Sequence, residues 1–120
     1  MTASITTPGA FKKTITLGAA DTPQQLSALM IAKQPGAWVH GAELNIFGVA
    51  GNTAPIYIGD SGMVSPGAGL APVDYIWALD GDGNPYNSGG GRDNNFTHCG
   101  DYWVMSTAGT QKIRVELTVG

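Results

Sequence analysis

Few residues in this chain have the type and spacing to do chemistry. Asp80-Gly81-Asp82-Gly83-Asn84 places carboxylate or amide oxygens at alternate positions. That is the opening spacing of a calcium loop. The rest of the loop departs from it. Pro85 stands where the motif wants glycine, and Gly91 where it wants a bidentate glutamate. Asp93 is the nearest substitute. Asp-Gly is also a hairpin signal, so Asp80, Asp82 and Asn84 read as a turn or as a weak cation site. No metal or other cofactor is expected.

Nucleophilic chemistry has no convergent set. His98 and Cys99 are adjacent, and His40 is remote in sequence. Neighbours on a strand point to opposite faces, whereas a nucleophile and its base must converge. Ser61 lies in Gly59-Asp60-Ser61-Gly62, not in a G-x-S-x-G elbow. Gly89-Gly90-Gly91 is followed by Arg92-Asp93, where a phosphate cradle needs Lys and then Ser or Thr. It reads as a loop tip, or as a loop that orders against a neighbouring subunit. Asn95-Phe96-Thr97 is a glycosylation sequon, expected to be idle without a leader. We expect no catalytic residues and no enzyme.

The large amphipathic aromatics are Trp38, Tyr57, Tyr75, Trp77, Tyr86, Tyr102 and Trp103. Such rings fill cores and interfaces, and on β domains they can stack sugars. Trp77 with Leu79 suits the core. Tyr75 and Ile76 become contact residues if they face outward.

The elements that must position these groups read as strands. Phe11 to Leu17 alternates, with Phe11, Lys13, Ile15 and Leu17 on one face. Gln25 to Lys33 suits a helix by propensity and a strand by context; the reading leans to strand. Leu44 and Ile46 mark an inward face between Val39 and Val49. Ile56 and Ile58 do so between Pro55 and Asp60. Ser61 to Leu70 reads as loop, Tyr75 to Leu79 as strand, and about 80–100 as a long polar, Gly-rich loop. Tyr102 to Met105 is nearly all apolar, as if covered on both faces. Gln111 to Val119 alternates most cleanly, with Ile113, Val115, Leu117 and Val119 inward. Short strands separated by turn signals predict an all-β, antiparallel β-sandwich or jelly-roll-like single domain. Residues 1–10 read as an extended N-terminal arm, and 11–120 as the domain.

Composition narrows the function. The chain has 120 residues and a net charge of −3. Its six cations, Lys12, Lys13, Lys33, Arg92, Lys112 and Arg114, are scattered in sequence. No basic face for nucleic acid is expected. No stretch approaches the roughly 18 apolar residues of a membrane helix. Met1 to Ala10 lacks the basic start and apolar run of a secretory leader. The one cysteine, Cys99, excludes an internal disulfide. We expect synthesis in the cytoplasm. Charged residues are only 12% of the chain, about half the usual share, which hints at a surface covered in an assembly.

One run carries a family resemblance. Gly51-Asn52-Thr53-Ala54-Pro55-Ile56-Tyr57-Ile58-Gly59-Asp60-Ser61 resembles the "N-x-x-P-V-Y-I-G-D/G-S" strand of small structural proteins of tailed bacteriophages. In those proteins a variable loop and "G-x-x-L-x-P-G/V" follow; here the chain reads Gly69-Leu70-Ala71-Pro72-Val73. Thr14-Ile15-Thr16-Leu17-Gly18, Asp21-Thr22-Pro23-Gln24-Gln25-Leu26 and the late Lys112-Ile113-Arg114-Val115 look like the family's opening and final strand. The resemblance spans most of the chain outside 80–100. It implies a virion protein, best matched by a capsid cement or decoration protein. Its implied partners are the major capsid protein and neighbouring copies of itself, as a homo-oligomer. Head–tail joining, head-fibre and tail components are alternatives, as is a non-viral carbohydrate-binding module. Ile5, Phe11, Tyr75, Tyr86, Arg92 and Phe96 are the expected contact residues.

Overall fold

The computed structural model of the protein describes residues 11–37, 39–41, 43–80, 84–88 and 97–118. The expected arm, Ile5, Asp82, Arg92, Phe96 and Val119 lie outside the described residues, as does most of the 80–100 loop. The described chain is mostly β, with one α-helix. In order it runs β1 (Phe11–Leu17), β2 (Gln24–Gln25), α1 (Leu26–Lys33), β3 (His40–Gly41), β4 (Glu43–Gly48) and β5 (Ile56–Val64). It continues through β6 (Val73–Leu79), β7 (Tyr86–Asn87), β8 (Thr97–His98), β9 (Trp103–Ser106) and β10 (Gln111–Thr118). Two four-stranded antiparallel sheets form, ordered β1-β10-β4-β7 and β2-β9-β5-β6, with β3 and β8 pairing separately.

Alternation sets the register of the first sheet. Phe11 lies opposite Leu117, Ile15 opposite Ile113, and Val115 opposite Ile46. A one-residue slip would turn these side chains to water and the polar set inward. Lys13, on the apolar face of β1, stays exposed because β1 is an edge strand. Ile56, Ile58, Leu79 and Val104 of the second sheet join the same buried cluster, with Leu26, Met30 and Cys99. In the central strand β9, Val104 and Met105 face opposite sides, yet both are fully buried.

Three sequence expectations need correction. Leu26–Lys33 is a helix, not a strand. Leu26 and Met30, four apart, share one helical face and are both fully buried in the core. Leu26 N–H donates to the Tyr102 carbonyl at 2.9 Å, and Gly36 with φ +84° turns the chain away beyond Pro35. Ser61 to Val64 is not loop: β5 continues to Val64, with register shifts on either side of Gly59. A Cβ at Gly59 would lie 2.9 Å from the Met63 sulfur and 3.3 Å from the Asp74 carbonyl oxygen, so a side chain there would have to displace Met63. Third, part of 80–100 is paired. Tyr86 and Asn87 add to β4, while Thr97 and His98 pair with Gly41 and His40. Two-residue strands are too short to show a period of two.

Candidate interaction surface

No catalytic constellation forms among the described residues. Pairing of β3 with β8 does bring His40 and His98 together, with ring centroids 4.1 Å apart. His98 Nδ1 accepts a hydrogen bond from the Gly100 N–H at 2.9 Å. Its lone pair is therefore engaged in a backbone turn. Cys99 turns the other way and is fully buried. Burial pushes its thiol up from 9.0 to about 12, which suppresses the nucleophilic thiolate. Thiol reagents at neutral pH are therefore expected to label Cys99 only as fast as the protein opens; labelling at the rate of a free thiol would contradict the packing. The shift is upward, so burial stabilises the protonated thiol. That contribution is complete below the unfolded value and is lost as pH rises from about 9 towards 12.

Ser61 lies within β5 and is exposed. Among the described residues no three His, Cys, Asp or Glu side chains gather to hold a metal. Asp80 and Asn84 are both exposed. Asn84 closes a turn. Its φ is +56°, its amide Nδ2 donates to the Ala78 carbonyl at 2.8 Å, and its own carbonyl accepts from Trp77 Nε1 at 2.8 Å. Asparagine tolerates that left-handed conformation; β6 and β7, which flank this segment, pair in different sheets rather than with each other.

A shallow hollow of about 390 Å³ lies on the outer face of the first sheet, lined by Thr14, Phe47, Gly48, Val49, Arg114 and Glu116. Arg114 and Glu116 pair across it at 3.0 Å. It contains no nucleophile and base in reach of one another.

The feature that stands out is apolar and external. β6 is the edge of the second sheet, and among the described residues no strand pairs with its outer side. Val73, Tyr75, Ile76 and Trp77 on it are 37–55% exposed, and Val64 and Leu70 beside it are 56% exposed. Trp77 shares the face of buried Ile58, its partner in register, while Tyr75 touches Tyr57 on the other face, so the exposed side chains wrap both sides of this edge. A cluster of exposed apolar side chains on one edge marks a contact surface. Its backbone is shaped by irregularity. Ile76 is passed over in the register between Trp77 and Tyr75, and Asp74 has φ +63°. Such bulges bend an edge strand and re-aim its side chains.

Aromatic contacts stiffen the strip. Tyr75 meets Tyr57 edge-on at 4.8 Å. Trp77 meets Tyr86 at 6.0 Å, and Tyr86 meets Tyr102 at 5.6 Å, with their hydroxyls 3.0 Å apart. Burial is the main cause that raises the Tyr102 phenol, with the Tyr86 hydrogen bond second; it also raises Tyr57. Both stay neutral.

These positions revise the expected contact set. Tyr75 is exposed, as a contact residue requires. Tyr86 is half-buried and acts as the prop beneath Trp77. Phe11 is a correction: it is fully buried in the core cluster, because its β1 face packs inward beside Leu117. Trp77 is a second correction. It is opposite buried Ile58 in register, yet it remains 37% exposed at the sheet edge. Val64, Leu70 and Val73 were missed. Only Val73 has a signal in the sequence: from Val73 to Leu79 the only charged residue is Asp74, so neither face is marked for water.

No protein-family model, curated protein or solved structure matches this chain.

Proposed function

We propose that this chain is a non-catalytic β-sandwich structural protein that acts through protein contacts, and that its setting is a virion, as a capsid cement or decoration protein. The observation that carries the contact reading is the exposed strip on β6 with its neighbours Val64 and Leu70. Six exposed apolar side chains on one edge are costly to leave in water and favourable to bury against a partner. The two antiparallel sheets drawing on one core fit a sandwich, with the strip on its rim. The virion setting is supported by the phage-like run from Gly51 to Ser61, whose Ile56-Tyr57-Ile58 forms the inner part of β5. The partners would be the major capsid protein and neighbouring copies. A sugar platform is less well supported, because the Tyr57–Tyr75 and Trp77–Tyr86 rings meet at 61° and 64° and offer no shared flat face.

Quantitative mass spectrometry of gradient-purified particles tests the setting. Hundreds of copies in simple ratio to the shell protein are expected. A dozen or fewer would place the chain in the neck, a fibre or the tail. Absence from particles would overturn the virion reading.

A further inference from the structure

We propose that copies of this chain associate head to tail, the apolar strip on β6 of one seating against the hollow between β1 and α1 of the next. The inference rests on the contact reading above and names one occupant for the strip. The hollow measures about 240 Å³ and is lined by Ile15, Thr16, Leu29, Ala32 and Lys33. That is below the about 300–1,000 Å³ of small-molecule sites and suits side chains from another surface. Ile31, on the same helix, is 47% exposed and apolar.

Charge selects this pairing over others. Lys12, Lys13 and Lys33, half the cations of the chain, are exposed on β1 and α1, and neither element contains a carboxylate. Around the strip, Asp60, Asp74 and Asp80 are exposed. No Lys or Arg occurs between Lys33 and Arg92. Pairing β6 with β6 across a two-fold axis would bring only carboxylates together, which is unfavourable. Pairing β6 with the β1–α1 edge opposes these carboxylates to Lys33, which lines the hollow, and to Lys12 and Lys13 further along β1. The nearby carboxylates are Glu116, opposite Lys12, and exposed Asp101 beside α1. Among the described residues both edges end their sheets, and both strands are seven residues long. A specific contact has to bury about 1,000 Å² in total, to which the strip contributes its six exposed apolar side chains. A surface that fits a different surface of its own copy gives a heterologous contact, which closes as a ring or runs on as a filament.

Sedimentation velocity of the purified chain over a concentration series tests this. The wild-type chain is expected to associate, and to do so less at high salt. Ile76→Lys disables the strip and Ala32→Arg fills the hollow; both positions are exposed, and circular dichroism confirms that each variant is folded. Each variant alone is expected to weaken association at least about tenfold. Mixed together, they are expected to form a dimer and no larger species, because one intact edge of each kind remains. A wild-type chain that stays monomeric would overturn the proposal. So would an Ala32→Arg variant that associates like wild type, which would mean pairing of β6 with β6. A monomeric chain found in high copy on particles would sink this inference and leave the proposed function standing.

Discussion

Replacing Phe11 by alanine is expected to lower the unfolding free energy by about 3–5 kcal/mol, as large-to-small changes at buried aromatics do. Phe11 is fully buried and packs within the cluster that holds Leu117, its partner in register. Two terms add. The lost ring no longer leaves water on folding, and the remaining cavity loses contacts on its walls. β1 is an edge strand, paired on one side by β10, so partial collapse of the site would bring the cost to the lower end. Urea denaturation read by tryptophan fluorescence measures it. A change of about 0.5 kcal/mol or less, the range typical of surface substitutions, would mean that Phe11 is not packed in the core.

Gln111→Leu should be nearly as damaging, at about 2–4 kcal/mol, although it replaces a polar side chain by an apolar one of similar size. Gln111 is 3% exposed and organises the turn before β5. Its Oε1 accepts from the backbone N–H groups of Thr53 at 2.7 Å and Ala54 at 3.1 Å. Its Nε2 donates to Thr53 Oγ1 and to the Gly109 carbonyl, both at 3.0 Å. Leucine removes all four bonds and strands two part-buried amide donors, each at a cost of about 1–3 kcal/mol if water cannot reach them. Gln111→Glu is the informative companion, since it keeps the two accepting bonds and loses the donated ones. Thermal melts of both variants should rank wild type first, Glu second and Leu last at neutral pH. Equal losses for Glu and Leu would show that the amide donors, not the carbonyl acceptor, hold the turn.

Gln111 also shows where legibility in sequence ended. The alternation from Gln111 to Thr118 marked β10 and its inward residues Ile113, Val115 and Leu117 without ambiguity, because a half-buried strand writes its two faces into every second residue. The same alternation puts Gln111 on the inward face, but it could not show what would satisfy a buried amide there, because its partners are 57 and 58 positions away. The helix at Leu26–Lys33 failed for a related reason. Its residues fit a period of two as well as one of 3.6, and only packing against β1 and the 3-10 turn at Cys99–Asp101 chose between them.

The candidate surface divides along the same line. Sequence by itself determined an antiparallel β chain, the buried faces of β1, β4, β5 and β10, and a thiol at Cys99 separated from its neighbouring imidazole. It also showed the polar-poor run through Tyr75, Ile76 and Trp77. Tertiary structure decided that this run is an edge rather than a centre, and that Phe11 lies inside. It also placed Lys33 at the hollow between β1 and α1. The reason is physical. Periodicity records which side of its own strand a residue faces, a local property. Whether a strand ends its sheet depends on which distant segments pair with it, and no short window of residues carries that information.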